Sequence, residues 1–195
     1  MNTMDVYDVI LSRYSVRKFS DREVEKDKLE KVLNAARLAP SWRNQQCWHF
    51  IVVDDDSVKR KIIRSTSLFN QGWLGSEPII IVFCGDPQQS GFNNQQPYYL
   101  VDTAIAYTQM MLTATELGLG TCFIAGLEES QIKSILAIPE SVRIVGLTPL
   151  GYPAEKTGLL EKVTQKIVRS HERKKLIEIV SHNAWNHSYE IKENS

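Results

Sequence analysis

The chain has 195 residues, a mass of 22.3 kDa and 43% hydrophobic residues. This length and apolar content are typical of one globular domain with one core. Lysine and arginine (23) balance aspartate and glutamate (23), so net charge favours neither a nucleic acid nor an anionic membrane as partner. The longest apolar run, residues 79–84, is far shorter than the roughly 20 residues of a membrane helix.

The N-terminus and the cysteines predict a cytoplasmic protein. Residues 1–6 contain an aspartate and no basic segment ahead of an apolar run, unlike a secretory signal. Cys47, Cys84 and Cys122 are an odd number of widely spaced thiols without a CxxC pair. This pattern favours reduced cysteines over a disulfide framework or a zinc site.

Hydrophobic periodicity predicts a mixture of helices and strands. The clearest helix is 25–38, where Leu29, Val32, Leu33 and Ala36 follow the i, i+3, i+4, i+7 spacing and a proline soon afterwards prevents continuation. The predicted elements in chain order are helix 5–11, helix 25–38, strand 48–53, helix 57–67, strand 79–84, helix 99–117, helix 128–136 and strand 143–152.

The sequence predicts a different kind of structure for each of three central segments. Segment 79–84 is continuously β-branched and aromatic, which is typical of a central strand buried on both faces. Segment 85–97 holds two prolines, two glycines and several amides, and we expect a mobile surface loop. Helix 99–117 is apolar on most of its circumference, so it should be enclosed by other elements.

The segment after residue 157 is charged but also carries large apolar side chains. Such side chains are usually covered, so we expect residues 158–195 to be a C-terminal extension of a single 1–195 domain that docks on another protein surface, for example that of a second copy of the chain. The apolar residues of this extension are Leu176, Ile177, Ile179, Val180, Trp185 and Tyr189.

Familiar catalytic signatures are missing from the chain. GxSxG, HExxH and GxxxxGK[ST] do not occur. Gly118-Leu119-Gly120 lacks the third glycine of a dinucleotide fingerprint and follows a helix rather than a strand, which disfavours a Rossmann site. The four histidines have no metal-ligand spacing, so no metal site is predicted.

Three polar clusters remain as candidates for function. Arg13, Ser15 and Arg17 would share one face of an extended segment at spacings of about 6.6 Å, forming either a phosphate cradle or a solvated basic turn. Segment 39–48 holds five hydrogen-bonding side chains, enough to bind a polar heterocycle unless it is an ordinary connector. The basic run 172–175 offers further cations for the same phosphate, although alone it is typical of a solvated helix face.

The order and spacing of these motifs resemble the FMN-dependent nitroreductase family along nearly the whole chain. The resemblance implies an α+β fold on a mixed sheet, an intertwined homodimer with an FMN in each of two interface sites, and reduction by NAD(P)H. The motifs are Arg13-x-Ser15-x-Arg17-x-Phe19, Ala39-Pro40-Ser41-x-x-Asn44-x-Gln46-x-Trp48, Glu116-Leu117-Gly118-Leu119-Gly120-Thr121, Ile138-Pro139-Glu140 and Gly151-Tyr152-Pro153-Ala154-Glu155.

By position, the resemblance also implies which residues contact FMN. The 13–17 segment would contact the phosphate and the pyrimidine edge, and Pro40 to Asn44 of the other subunit would lie near the ribityl chain and the dimethylbenzene edge. Asn70 would lie near the pyrimidine side, residues 124–126 beside the isoalloxazine, and Arg173 or Lys174 would close the phosphate site. The full predicted set is Arg13, Tyr14, Ser15, Arg17, Pro40, Ser41, Trp42, Asn44, Gln46, Asn70, Ile124, Ala125, Gly126, Arg173 and Lys174.

The resemblance predicts an oxidoreductase that reduces nitroaromatic, quinone or related flat acceptors with NAD(P)H by a ping-pong mechanism. Because the flavin itself exchanges the hydride, no catalytic side chain is required. We expect the acceptor site to be bordered by Trp42 or by segment 85–97. The alternatives are a non-catalytic flavin-binding protein, with Trp42 or Trp73 covering the flavin, and a flavin enzyme of this fold with other chemistry, such as dehalogenation.

Overall fold

The computed structural model describes residues 4–154 and 173–188. The chain divides into two compact units, Met1–Glu155 and Lys156–Ser195. In the second unit, the described residues contain a 3₁₀-helix, Leu176–Glu178, and a bridge between Ser181 and Ser188. The docking of residues 158–195 on a second copy stays a prediction.

The first unit is built on a four-stranded sheet in which every strand pair is antiparallel. A separate parallel bridge joins Ser15 to Thr121 at one edge of the sheet. In spatial order, the strands are β1 (Trp48–Val53), β2 (Ile79–Gly85), β6 (Arg143–Gly151) and β5 (Gly120–Thr121). The prediction of an α+β fold is confirmed, and the three longer strands lie where hydrophobic periodicity placed them.

Within residues 4–154, six α-helices pack on this sheet or on one another. They are α1 (Val6–Ser12), α2 (Lys26–Arg37), α3 (Asp56–Arg64), α4 (Leu68–Gln71), α5 (Tyr98–Glu116) and α6 (Glu129–Leu136). The predicted helix 57–67 is wrong at its C-terminal end, because α3 ends at Arg64. The hydroxyls of Ser65 and Thr66 donate to the carbonyls of Lys61 and Ile63, which closes the last turn and lets the chain reverse into α4.

The core lies on both faces of β2. Ile79, Ile81 and Phe83 point towards α2 and α5 on one face of the sheet. Ile80 and Val82 point to the other face, where they belong to a second hydrophobic cluster. All seven residues of the strand are buried. This confirms the prediction of a central strand covered on both sides, since alternate side chains of a strand point to opposite faces.

Segment 85–97 contains regular secondary structure, whereas the sequence predicted a mobile surface loop. A 3₁₀-helix, Pro87–Gln89, is followed by a hairpin of β3 (Phe92–Asn93) and β4 (Gln96–Pro97). The two turn residues, Asn94 and Gln95, have φ values of 49° and 61°. Positive φ at both central positions is typical of tight hairpin turns, so the polar composition that predicted a loop here encodes a hairpin.

Helix α5 is only partly enclosed within this unit. Its buried stripe includes Ala106 and Met110, whereas Leu100 and Val101 on the other side are exposed. A cavity of about 430 Å³ next to it is lined by residues of α1, α2 and α5. The expectation of a helix covered on most sides is therefore not met by the described unit alone.

The three cysteines are buried and unpaired, which confirms the prediction that they form no disulfide. Burial raises the pKa of Cys47 and of Cys84 to about 11. These thiols are protonated at neutral pH and are part of the packing. Within the two described ranges, no helix has the length and apolar composition to cross a membrane.

Candidate functional site

The segment that carries the predicted phosphate cradle, Arg13, Ser15 and Arg17, pairs with strand β5. The Val16 N–H donates to the Thr121 carbonyl at 2.9 Å, and Ser15 forms a parallel bridge with Thr121. The Val16 side chain is buried against Gly120, where an added Cβ would lie 2.4 Å from Val16 Cγ2. Because side chains alternate along an extended segment, burial of Val16 directs Ser15 and Arg17 to the opposite face.

The Cys122 thiol forms a hydrogen bond with Ser15 and is influenced by the charges of Arg13 and Arg17. Burial raises the pKa of the Cys122 thiol, whereas the charge of Arg17, a hydrogen bond with Ser15 and the charge of Arg13 lower it. Both arginines are half-buried, as is Tyr14 between them. Neither guanidinium pairs with a carboxylate in residues 4–154 or 173–188. Two half-buried cations that lack a carboxylate partner in these ranges are suited to binding an anion.

Asn70 and Gly126 form the second part of the candidate site. Asn70 is buried, and its Nδ2 donates to the Gly126 carbonyl at 3.3 Å. The same carbonyl accepts from the Ser67 N–H at 2.9 Å, which ties α4 to the segment after β5. Gly126 and Ala125 are exposed, but the Ile124 side chain is buried in the core. Its main-chain N–H and carbonyl both pair with Leu147 at 2.9 Å, so Ile124 leaves a ligand no free N–H donor.

One short segment connects these two parts. Residues 121–126 contact Ser15 at their start and Asn70 at their end. The structure thus brings together most of the predicted residues of one subunit, in the 13–17 segment, at Asn70 and at 124–126. They form a strip along the β5 edge of the sheet.

The loop that precedes β1 has a distinctive backbone. Arg43, Asn44 and Gln46 have φ values of 46°, 59° and 53°. Left-handed conformations cost L-residues roughly 1–2 kcal/mol each, so neighbouring contacts must hold them. The Ser41 hydroxyl accepts from the Gln46 N–H at 2.9 Å, and Gln46 Nε2 donates to the Asn44 carbonyl at 3.2 Å. Pro40, just before this loop, is exposed.

Asp102 holds this loop in place, and sequence reasoning missed it. The carboxylate is 2% exposed and accepts from the Trp42 N–H at 2.9 Å and from the Ser90 hydroxyl at 3.0 Å. The Cys47 Sγ lies 3.6 Å from it. A single acidic residue among the apolar residues near the start of α5 was the signal in the sequence, since a buried carboxylate requires donors.

The two sets of predicted residues lie at opposite ends of the sheet. The 40–46 loop enters β1 at Trp48, which pairs with Gly85 at one end of β2. Thr121 pairs with Leu150, which pairs with Ile79 at the other end of β2. The length of β2 separates these ends by roughly 20 Å, and β1 and β5 are opposite edges of the sheet.

The predicted residues of the tail lie in the second unit. Arg173 and Lys174 are exposed there, just before the 3₁₀-helix Leu176–Glu178. Their proposed contact with the phosphate stays a prediction. Across the parts of the chain that the structure describes, no group of three or more His, Cys, Asp or Glu residues could hold a metal ion.

The fold defines an α+β protein in which helices cover an antiparallel sheet and the polar candidate site lies on the surrounding segments. A sequence model of the nitroreductase family matches residues 10–68 and 60–152. The chain belongs to the nitroreductase family.

Individual relatives agree with this assignment. A protein of Archaeoglobus fulgidus, provisionally named an NADH dehydrogenase/NAD(P)H nitroreductase, is 33% identical over 159 residues, covering 78% of this chain and 88% of the relative. A nitroreductase family protein from Clostridium novyi NT is 35% identical with a TM-score of 0.74, covering 95% of this chain and 97% of that chain. An FMN-dependent nitroreductase from Clostridium difficile R20291 is 29% identical with a TM-score of 0.68, covering 85% and 98%. The resemblance seen in the sequence motifs is therefore confirmed.

Proposed function

We propose that the chain is an FMN-dependent oxidoreductase that uses NAD(P)H to reduce flat acceptors such as nitroaromatic compounds and quinones. The observation that carries this proposal is the position of Arg13, Ser15 and Arg17 on one face of the segment that pairs with β5, without a carboxylate partner for either arginine in the described residues. Two guanidiniums and a hydroxyl suit a phosphate dianion. The names of the Clostridium difficile and Archaeoglobus fulgidus relatives support FMN and NAD(P)H as the ligands.

The described residues fit an FMN by their chemistry. Arg13 and Arg17 would neutralise the phosphate, and the hydrogen bond from Asn70 to the Gly126 carbonyl orients the amide so that its Oδ1 is left for a ligand N–H, such as the flavin imide. Gly126, exposed and without a side chain, permits close approach of a flat ring. When bound, FMN supplies the hydride-accepting centre, so the protein needs only to bind and orient it.

A homodimer is part of this proposal. Pro40 to Asn44 lie at the opposite end of the sheet from Arg13 to Arg17, so a second copy is the natural source of the loop in each site. An apolar surface supports the same arrangement: Val6 is 73%, Tyr7 is 68% and Leu11 is 67% exposed on neighbouring turns of α1. Contiguous exposed apolar surface is typical of a protein interface.

Purified protein is expected to be yellow and to release FMN on acid or heat treatment. It should oxidise NADH steadily when a quinone or nitroaromatic acceptor is added, with parallel double-reciprocal lines because both substrates use the flavin in turn. Protein that contains FMN but does not oxidise NADH would support the non-catalytic alternative. A colourless protein that takes up no FMN on reconstitution would contradict the proposal.

Leu11→Glu is expected to convert the dimer to a monomer and to lower its FMN content, because it places a charge in the proposed interface. Sedimentation equilibrium and flavin absorbance of the purified variant measure the two effects. The matched control is Lys61→Glu, at an exposed position of α3, which should remain dimeric. A Leu11→Glu monomer that retains its full FMN content would show that each site lies within one subunit.

A further inference from the structure

A polar cavity of about 430 Å³ lies between the strained loop before β1 and the segment that leads into the 92–97 hairpin. Trp42, Arg43 and Gln45 line one side, and Gln88, Ser90 and Phe92 line the other. Its lining contains a guanidinium and several amides but no acidic side chain. A cavity with this lining favours a ligand that carries negative charge.

The flat wall of this cavity is the indole of Trp42. Gly91 packs directly against it, since an added Cβ at Gly91 would lie 2.4 Å from Trp42 Cε2. The ring of Tyr98 lies 4.5 Å from the indole, measured between centroids. These two contacts hold the indole in place, and the half-buried ring forms a fixed aromatic wall of the cavity.

Arg43 provides the charge of the cavity. Its guanidinium carbon lies 5.4 Å from the centroid of the Trp42 ring, within the range of a cation–π contact. The side chain is exposed, and no carboxylate of residues 4–154 or 173–188 pairs with it. Its positive φ of 46° turns the chain tightly between Trp42 and Asn44. A cation beside a flat aromatic wall matches a flat ligand with an anionic substituent.

Asp102 fixes both sides of the cavity relative to each other. Its buried carboxylate accepts from the Trp42 N–H on one side and from the Ser90 hydroxyl on the other. A further hydrogen bond, from Gln89 Nε2 to Asp86 Oδ2 at 2.9 Å, stiffens the second side. Because the walls are joined through the interior, the cavity is organised before a ligand arrives.

We propose that this cavity binds the anionic group of a flat ligand that reacts at the flavin, with Arg43 as the anion-binding residue and Trp42 as the aromatic wall beside it. This inference rests on the proposed function, in which the 40–46 loop also contacts FMN and so places the cavity beside it. Two ligands carry such an anionic group: an aromatic acceptor with a carboxylate, and the nicotinamide dinucleotide with its phosphates. Arg43 then determines specificity for charged over neutral ligands.

The test compares Arg43→Gln and Arg43→Lys with the wild type and with Arg60→Gln, an exposed arginine on α3. Titration calorimetry of the purified full-length protein with benzoate and with benzamide measures binding without any flavin reaction. Arg43→Gln is expected to weaken benzoate relative to benzamide by about 10-fold, with partial recovery in Arg43→Lys. Arg60→Gln should bind both as the wild type does.

Kinetics then distinguish the two sources of the anion. A fall of about 10-fold in the ratio of kcat/KM for 4-nitrobenzoate to that for 4-nitrobenzamide in Arg43→Gln assigns the cavity to the acceptor, and a rise confined to the KM for NADPH assigns it to the dinucleotide. If neither benzoate affinity, the acceptor ratio nor the KM for NADPH changes, the proposal is wrong. Arg43-dependent benzoate binding by a protein that takes up no flavin would support the cavity and refute the proposed function.

Discussion

Replacing both Arg13 and Arg17 by glutamine is expected to weaken FMN binding by more than 100-fold. A hydrogen bond to a charged partner contributes about 1.5–3 kcal/mol, and each 1.4 kcal/mol changes affinity about tenfold. Since the two half-buried guanidiniums have no carboxylate partner in the described part of the chain, their removal deprives the phosphate of two of its proposed cations. Quenching of flavin fluorescence on titration into apoprotein measures the dissociation constant.

Riboflavin, which lacks the phosphate, provides the matched control ligand. Its affinity should fall much less than that of FMN in the double variant, so the ratio of the two dissociation constants is the informative quantity. Arg37→Gln, at an exposed position in the last turn of α2, should leave this ratio unchanged. Equal losses for FMN and riboflavin would place Arg13 and Arg17 away from the phosphate.

Phe83→Ala is expected to lower the free energy of unfolding by about 3–5 kcal/mol. Phe83 is fully buried in the central strand, with the rings of Phe50, Tyr107 and Phe123 at centroid distances of 6.0, 4.9 and 6.3 Å. Truncation removes these contacts and leaves a cavity that the surrounding sheet cannot close. Urea denaturation followed by circular dichroism measures the change.

The control for this core substitution is Phe92→Ala in the hairpin. Phe92 is 71% exposed, and a substitution at such a position changes stability by about 0.5 kcal/mol or less. Similar unfolding midpoints for the two variants would mean that Phe83 is not at the centre of the core. Phe83 also supports Phe123, so we expect the core variant to disturb the adjacent 121–126 segment of the candidate site.

The sequence alone determined the elements whose evidence is local. The spacing of Leu29, Val32, Leu33 and Ala36 specifies α2, and the continuous apolar run of 79–84 specifies a buried central strand, because each pattern has one arrangement that hides its apolar side chains. The motifs also carried the family assignment, since several of them occur in the family's order. The order of these motifs can be read from the sequence without knowing how the chain packs.

Only the tertiary structure decided which polar residues meet. Asp102 is joined to Trp42 and Ser90, 60 and 12 residues away in the chain, and no local pattern encodes such pairs. Burial of Ile124 depends on its bridge to Leu147, and the distance between the 40–46 loop and the 13–17 segment depends on the strand order β1-β2-β6-β5. Local patterns specify helices and strands because their hydrogen bonds and buried faces repeat over a few residues. The geometry of the candidate site depends on contacts between distant segments, which form only when the whole sheet and its helices pack.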